Sequence, residues 1–97
     1  MKILVVDDDL DLRSVTTFAL QQAGMVVAQA DSTASGLAAF RAEAPDLAIL
    51  DINLPGGSGF ELCQAIRRES ALPILMLTVR NEESDLVSAL ELGADDY

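Results

Sequence analysis

The sequence has no histidine and only one cysteine, Cys63, among its 97 residues. Without an imidazole it cannot form a Ser-His-Asp triad or a histidine-ligated zinc site. A single cysteine excludes an internal disulfide and a cysteine-rich metal site. Basic residues are also scarce, 6 against 16 acidic ones, and the resulting net charge of -10 argues against direct binding to the phosphates of nucleic acids.

Long apolar runs and a secretory leader are absent as well, so we expect a soluble, cytoplasmic chain with no membrane partner. The length of 97 residues indicates one small domain at most. Hydrophobic residues make up 51% of the chain, but only four residues are aromatic. The core must therefore be built from Val, Ile, Leu and Ala, which is typical of small α/β domains.

Short apolar segments alternate with helical patterns along the chain. Residues 3–6, 47–50 and 74–77 are continuous apolar runs, as expected of strands that are buried on both faces of a parallel sheet. Residues 25–30 indicate a further strand, and a fifth strand begins near the end of the sequence. Strands that alternate with helices predict a doubly wound α/β fold with a parallel sheet.

Helix signals separate these strands. Asp9 is the predicted N-cap of the first helix and Ser32 introduces the second. Leu12, Val15, Ala19 and Ala23 have the three- and four-residue spacing of one helical face, and Gly24 follows as a stop signal. The third helix is predicted to turn Phe60, Cys63 and Ile66 inward. A fourth helix is expected over residues 82–92.

Polar residues follow three of the predicted strands. In a doubly wound sheet the carboxyl ends of all parallel strands share one edge, which would bring together Asp7, Asp8, Asp51 and Thr78. Oxygen ligands favour a hard ion such as Mg²⁺, and Mg²⁺ held by few carboxylates points to phosphoryl chemistry with Asp51 as nucleophile. The simpler alternatives are a helix cap, a turn residue and a strand-end hydroxyl, and for Asp9 we prefer the cap.

Four motifs carry a family resemblance: Val5-Val6-Asp7-Asp8-Asp9, Leu50-Asp51-Ile52-Asn53-Leu54-Pro55 with Gly59, Leu77-Thr78, and Gly93-Ala94-Asp95-Asp96-Tyr97. Together they resemble the response-regulator receiver domain of two-component signalling over the whole chain, and the last motif is similar to the OmpR/PhoB subfamily. The resemblance implies a flavodoxin-like (CheY-like) sheet with strand order 2-1-3-4-(5).

The resemblance also implies roles for individual residues. Asp51 would accept a phosphoryl group from a histidine kinase, or from a small acyl phosphate. Mg²⁺ would be held by Asp7, Asp8, Asp51 and the backbone carbonyl of Asn53, with Asp7 acting through water. Thr78 would contact the phosphoryl group, and Tyr97 would be the switch aromatic of a helix four and strand five face that controls an output, here transcription through a separate DNA-binding domain.

Loop geometry is the expected role of Pro55 and Gly59, with Gly59 supplying a positive φ. The family's lysine and last helix would fall after Tyr97, so residues 1–97 would be a receiver domain that lacks the end of strand five and helix five. Either the chain is a fragment of a longer regulator, which we prefer, or it pairs with a second copy by strand swapping. The helix four face is another candidate surface for a homodimer.

Three alternatives to the receiver reading stay open. An aspartate-nucleophile phosphohydrolase would ordinarily carry an acid where Asn53 stands. A flavodoxin-like nucleotide binder would need glycines or hydroxyls, rather than acids, after the first strand. A receiver-like interaction or dimerisation module without phosphotransfer is the main alternative. In the preferred reading the chain is a phosphoacceptor and not a turnover enzyme, with at most slow self-catalysed phosphorylation and dephosphorylation.

Overall fold

The computed structural model describes residues 1–77. The predictions for the fourth helix, the fifth strand, Thr78 and Tyr97 lie outside the described residues. Within residues 1–77, no helix is long and apolar enough to cross a membrane.

Strands and helices alternate through the described residues as the sequence predicts. The elements are β1 (Lys2–Val6), α1 (Leu10–Gln22), β2 (Val26–Ala30), α2 (Thr33–Glu43), β3 (Leu47–Asp51), α3 (Gly59–Arg67) and β4 (Ile74–Leu77). Asp9 and Ser32 are the N-caps of α1 and α2, as predicted. The second strand begins at Val26, one residue later than expected.

The strands form one parallel sheet in the order β2-β1-β3-β4, which confirms the predicted order for these four strands. Val6 is paired with Leu50 of β3 and with Ala30 of β2, so β1 and β3 end at the same level. Asp51 is paired with Leu77 at the end of β4. The carboxyl ends of the strands therefore share one edge, where the acidic residues of the sequence are concentrated.

Two apolar clusters cover the two faces of the sheet. On one face, α2 and α3 contribute side chains such as Phe40, Leu62 and Ile66 to the larger cluster. On the other face, Leu20 of α1 packs with Ile3 and Val5. The inner strands β1 and β3 are thus buried on both sides, which explains their uninterrupted apolar sequences.

The apolar residues that the sequence places on one face of α1 do not pack on the sheet. Leu12 and Val15 are exposed, by 45% and 66%, and Ala19 and Ala23 are exposed too. Thr17 is the buried residue of the helix, and a second face with the same spacing, Arg13, Thr17 and Leu20, turns towards the sheet. Both faces satisfy helical periodicity, so spacing alone could not choose between them.

Gly59 needs space rather than a special backbone angle. It begins α3, its amide donates to the carbonyl oxygen of Ile52 at 2.8 Å, and the positive φ values of this loop belong to Gly56 and Gly57. The predicted positive φ at Gly59 is therefore wrong. A Cβ at this position would overlap the backbone carbonyl of Asp51. The absence of a side chain lets the loop fold back onto the end of β3.

We expect Gly59→Ala to lower the free energy of unfolding by about 3 kcal/mol, because the added methyl group must displace backbone atoms. Gly56→Ala is the matched control. Gly56 has φ +78° and nothing within 4 Å of an added Cβ, so its cost should be that of a left-handed alanine, about 1 kcal/mol. Urea unfolding of both variants measures the difference, and equal losses would contradict a steric role for Gly59.

Candidate functional site

The connection between β1 and α1 consists of three consecutive aspartates with different surroundings. Asp9 caps α1, since its Oδ1 accepts hydrogen bonds from the amides of Asp11 at 3.0 Å and Leu12 at 3.1 Å. Asp7 is only 4% exposed, and its Oδ1 accepts a hydrogen bond from the Asp9 amide at 3.0 Å. Asp8, between them, is exposed. The turn therefore leaves Asp9 engaged with the helix and presents Asp7 and Asp8 at the edge of the sheet.

Asp51 is the last residue of β3 and is half-buried. Its Oδ1 accepts a hydrogen bond from the amide of Asn53 at 3.3 Å. The next residue, Ile52, donates its amide to the carbonyl of Leu77 at 3.1 Å, which extends the pairing between β3 and β4 past the carboxylate. Asp51 is thus held by the backbone on both sides.

The three carboxylates at this edge lie close together. Asp7, Asp8 and Asp51 each offer a carboxylate oxygen, and these oxygens all lie within 4.8 Å of one another. They open into a cleft of about 500 Å³, whose lining residues are Asp7, Asp8, Asp9, Leu12, Asp51, Asn53 and Leu77. We call the Asp7, Asp8 and Asp51 group the acid cluster.

Crowding affects the charge state of the central acid. Loss of hydration raises the pKa of Asp51 from its ordinary value of 3.8 to about 6, the hydrogen bond from Asn53 opposes the shift, and the neighbouring Asp7 and Asp8 add to it. These are the expected effects of desolvation and of like charges in one site. The acid cluster therefore carries more negative charge at neutral pH than its surroundings stabilise.

The donor set fits a hard divalent cation. All three side chains of the acid cluster present oxygen, and nitrogen and sulfur ligands are absent from the cluster. Oxygen-only sites with few carboxylates and open positions suit Mg²⁺ better than zinc or copper. An ion at this position would also relieve the repulsion that adds to the raised pKa of Asp51.

The structure brings together most of the residues that the sequence singled out. Asp7, Asp8 and Asp51 form the acid cluster, and Asn53 follows Asp51 at the mouth of the cleft. Thr78 and Tyr97 lie outside the described residues, so their roles stay predictions.

One contact at this edge was missed by the sequence analysis. The guanidinium group of Arg13 donates to the backbone carbonyl of Asp7 at 2.8 Å. Arg13 lies four residues after Asp9, one helical turn past the cap, and its long side chain can reach back to the turn before the helix. That position in the sequence is the signal that could have indicated the contact.

The family model of the response regulator receiver domain matches residues 3–97. The transcriptional regulatory protein CseB of Streptomyces coelicolor is 46% identical over 95 residues, which cover 98% of this chain and 41% of that protein. The KDP operon transcriptional regulatory protein KdpE of Escherichia coli is 42% identical over 95 residues, which cover 98% of this chain and 42% of KdpE. The chain thus spans about two fifths of the length of these relatives.

Solved structures of other proteins share this fold. A two-component response regulator from Clostridium difficile superposes with a TM-score of 0.97 at 32% identity, covering 100% of this chain and 80% of that one. The BeF3-activated N-terminal receiver domain of RstA from Klebsiella pneumoniae also has a TM-score of 0.97, at 33% identity, with 100% and 83% coverage. The flavodoxin-like fold expected from the sequence is therefore shown.

The raised pKa of Asp51 predicts an unusual pH dependence in the absence of divalent ions. At pH values between the ordinary pKa of 3.8 and the raised pKa of about 6, the folded chain binds more protons at Asp51 than the unfolded chain does. The free energy of unfolding should therefore fall as pH rises through this window. Asp51→Asn removes the charge, so it should raise Tm by several degrees at pH 7.5 in EDTA, with a smaller gain near pH 4.

Thermal unfolding at the two pH values measures this difference. Glu43→Gln is the control, because Glu43 is an exposed acid whose partner is Lys2, remote from the acid cluster. It should raise Tm at neither pH. An Asp51→Asn variant that is less stable than the original chain at pH 7.5 in EDTA would show that the acid cluster is not strained by its charge.

Proposed function

The chain belongs to the response regulator receiver domain family, and on that premise we propose that it accepts a phosphoryl group on Asp51 in a reaction that depends on Mg²⁺. Receiver domains of this family are phosphoacceptors rather than turnover enzymes. The observation that carries the proposal is the convergence of the three carboxylates of the acid cluster within 4.8 Å at the carboxyl edge of the sheet.

Asp51 is better suited than its neighbours to be the nucleophile. Asp7 is 4% exposed and one of its oxygens accepts the Asp9 amide, so a donor group has little access to it. Asp8 is exposed on the connection to α1 and is supported by fewer contacts. Asp51 is half-buried at the end of β3 and is anchored by the Asn53 amide, which combines access with a defined orientation.

Mg²⁺ would be held by Asp8 and Asp51 through carboxylates, by Asp7 through water and by the backbone carbonyl of Asn53. When bound, Mg²⁺ neutralises the carboxylates and the negative charge that develops on the transferring group. The all-oxygen donor set and the uncompensated charge of the acid cluster both support this assignment.

The phosphoryl donor supplies the leaving group of the reaction. A carboxylate oxygen of Asp51 attacks phosphorus, the new P–O bond forms as the bond to the donor breaks, and the donor leaves with that electron pair. The chain contains no histidine, so a phosphohistidine donor has to come from a partner, and we propose a histidine kinase. Slow reaction with small acyl phosphates, and slow loss of the phosphoryl group to water, belong to the same proposal.

The output of the switch is expected to lie in another part of a longer regulator. The matched relatives are transcriptional regulators, and this chain spans about two fifths of their length. Its net charge of -10 opposes direct contact with DNA phosphates. We therefore infer control of transcription through a separate DNA-binding domain, in the cytoplasm. Switching through Thr78 and Tyr97, and a homodimer through helix four or by strand swapping, stay predictions.

Two adjacent aspartates test the metal assignment. Asp8→Asn removes a carboxylate from the acid cluster and should weaken Mg²⁺ binding about tenfold or more, since each unit of ligand charge adds strongly to the attraction for a small divalent ion. Asp9→Asn is the matched control, because Asn caps a helix as well as Asp does. It should bind Mg²⁺ nearly as well as the original chain. Isothermal titration calorimetry gives both affinities, and equal weakening would count against a specific site.

Intact-mass spectrometry after incubation with acetyl phosphate and Mg²⁺ tests the phosphoryl acceptor. The original chain should gain one phosphoryl group, whereas Asp51→Asn should gain none because the amide is not a nucleophile. EDTA should suppress the adduct. Binding of Mg²⁺ without any adduct from acetyl phosphate or from a phosphorylated histidine kinase would favour the interaction-module alternative, and an adduct that survives Asp51→Asn would place the acceptor elsewhere.

A further inference from the structure

Arg13 connects α1 to the ends of two strands. From the first turn of the helix its half-buried side chain reaches back over the sheet. Nη1 donates to the backbone carbonyl of Asp7 at 2.8 Å, and Nε donates to Oε1 of Gln29 in β2 at 3.1 Å. The planar guanidinium group thus makes two directed hydrogen bonds at once, a geometry that a lysine cannot reproduce.

With Arg13 in place, the amide, the carbonyl and one carboxylate oxygen of Asp7 each have a defined partner. The Asp7 amide donates to the carbonyl of Ala30 at 3.1 Å, its carbonyl accepts from Arg13, and its Oδ1 accepts from the Asp9 amide at 3.0 Å. The first two bonds fix the two peptide groups on either side of the Asp7 Cα, and the third fixes the carboxylate. Asp7 is buried, so losing the Arg13 bond would leave a carbonyl with poor access to water, which is costly.

The contacts of Arg13 also determine where its charge acts. Its two acceptors are neutral oxygens, and residues 1–77 include no ion pair between Arg13 and a carboxylate. The guanidinium therefore holds the backbone behind the acid cluster without binding the carboxylates themselves. A basic side chain bound directly to them would compete with a metal ion, whereas this arrangement leaves them available.

We propose that Arg13 is a positioning residue for the divalent cation site: through the Asp7 carbonyl it holds the turn that presents Asp7 and Asp8 to the ion. The consequence for phosphorylation rests on the proposed function of Asp51, but the effect on metal binding does not. Without Arg13, repulsion within the acid cluster is free to move the turn, and the ion must reassemble the site when it binds. Groups that orient metal ligands in this way commonly have a strong effect on the affinity for the metal ion.

The test compares Mg²⁺ affinities by calorimetry, with Tm measured in parallel in EDTA. Arg13→Met keeps the length of the side chain but removes its donors, and it should bind Mg²⁺ about tenfold more weakly. Arg13→Lys, which keeps the charge but replaces the planar guanidinium with a single ammonium group, should fall between. Arg41→Met is the matched control, because Arg41 is an exposed arginine of α2 that pairs with Glu69, just past the end of α3. It should keep the original affinity.

Two affinity results for Arg13→Met would overturn the inference. One is an Arg13→Met variant that binds Mg²⁺ within twofold of the original chain, and the other is an equal loss in Arg13→Met and Arg41→Met, which would indicate general charge alone. If Arg13→Met does not fold, Gln29→Leu replaces it. Gln29 is exposed, and its loss frees one end of the guanidinium. It should weaken Mg²⁺ binding in the same direction, and unchanged affinity would overturn the inference.

Phosphorylation separates this inference from the proposed function. At saturating Mg²⁺, Arg13→Met should recover the phosphorylation rate of the original chain, because Arg13 acts on the affinity for the ion. A rate that stays low at saturation would overturn the positioning role. If the original chain binds Mg²⁺ without forming an adduct, the proposed function fails while the affinity comparison still decides the role of Arg13. If the adduct forms and Arg13→Met binds Mg²⁺ normally, only the present inference fails.

Discussion

The oxygens of Asp7, Asp8 and Asp51 lie within 4.8 Å of one another, and their repulsion is the constraint on which the rest of the site depends. Two unit charges about 4 Å apart repel by about 4 kcal/mol at an effective dielectric constant near 20, and solvent around the exposed Asp8 reduces this. The raised pKa of Asp51 reflects mainly the loss of hydration, and this repulsion adds to it. A small domain with little stability to spare must hold such a group by other contacts, and here those contacts come from the backbone.

The anchors act on both sides of the acid cluster. Asp51 accepts from the Asn53 amide, and Gly59 allows the following loop to close against the Asp51 carbonyl because it has no side chain. Just after β1, Asp7 is held by its own turn and by Arg13. These bonds join the carboxylates to strands that are buried on both faces. Among residues 1–77 the repulsion is therefore opposed by the packing of the sheet rather than by neighbouring cations.

Some of these features could be predicted from the sequence and others could not. Continuous apolar strands follow from burial on both faces, and their shared edge follows from the handedness of parallel connections, so the fold and the acid cluster were both within reach. The face of α1 that packs on the sheet could not be predicted, because Leu12 with Val15 and Arg13 with Thr17 both have the spacing of one helical face. The reason why position 59 requires glycine could not be predicted either. A glycine indicates either a positive φ or a close approach of other atoms, and only the three-dimensional path of the loop distinguishes the two.

The charge of the acid cluster also determines what limits its chemistry. A pKa of about 6 leaves Asp51 mostly ionised at neutral pH, so an Asp51 nucleophile needs no general base, and a chain without histidine loses nothing by that absence. The remaining obstacle is electrostatic, because the carboxylates repel an incoming phosphoryl group as they repel one another. A cation bound by the acid cluster reduces both repulsions through the same interaction. Its effects on stability and on phosphoryl transfer should therefore change together whenever the backbone anchors are altered.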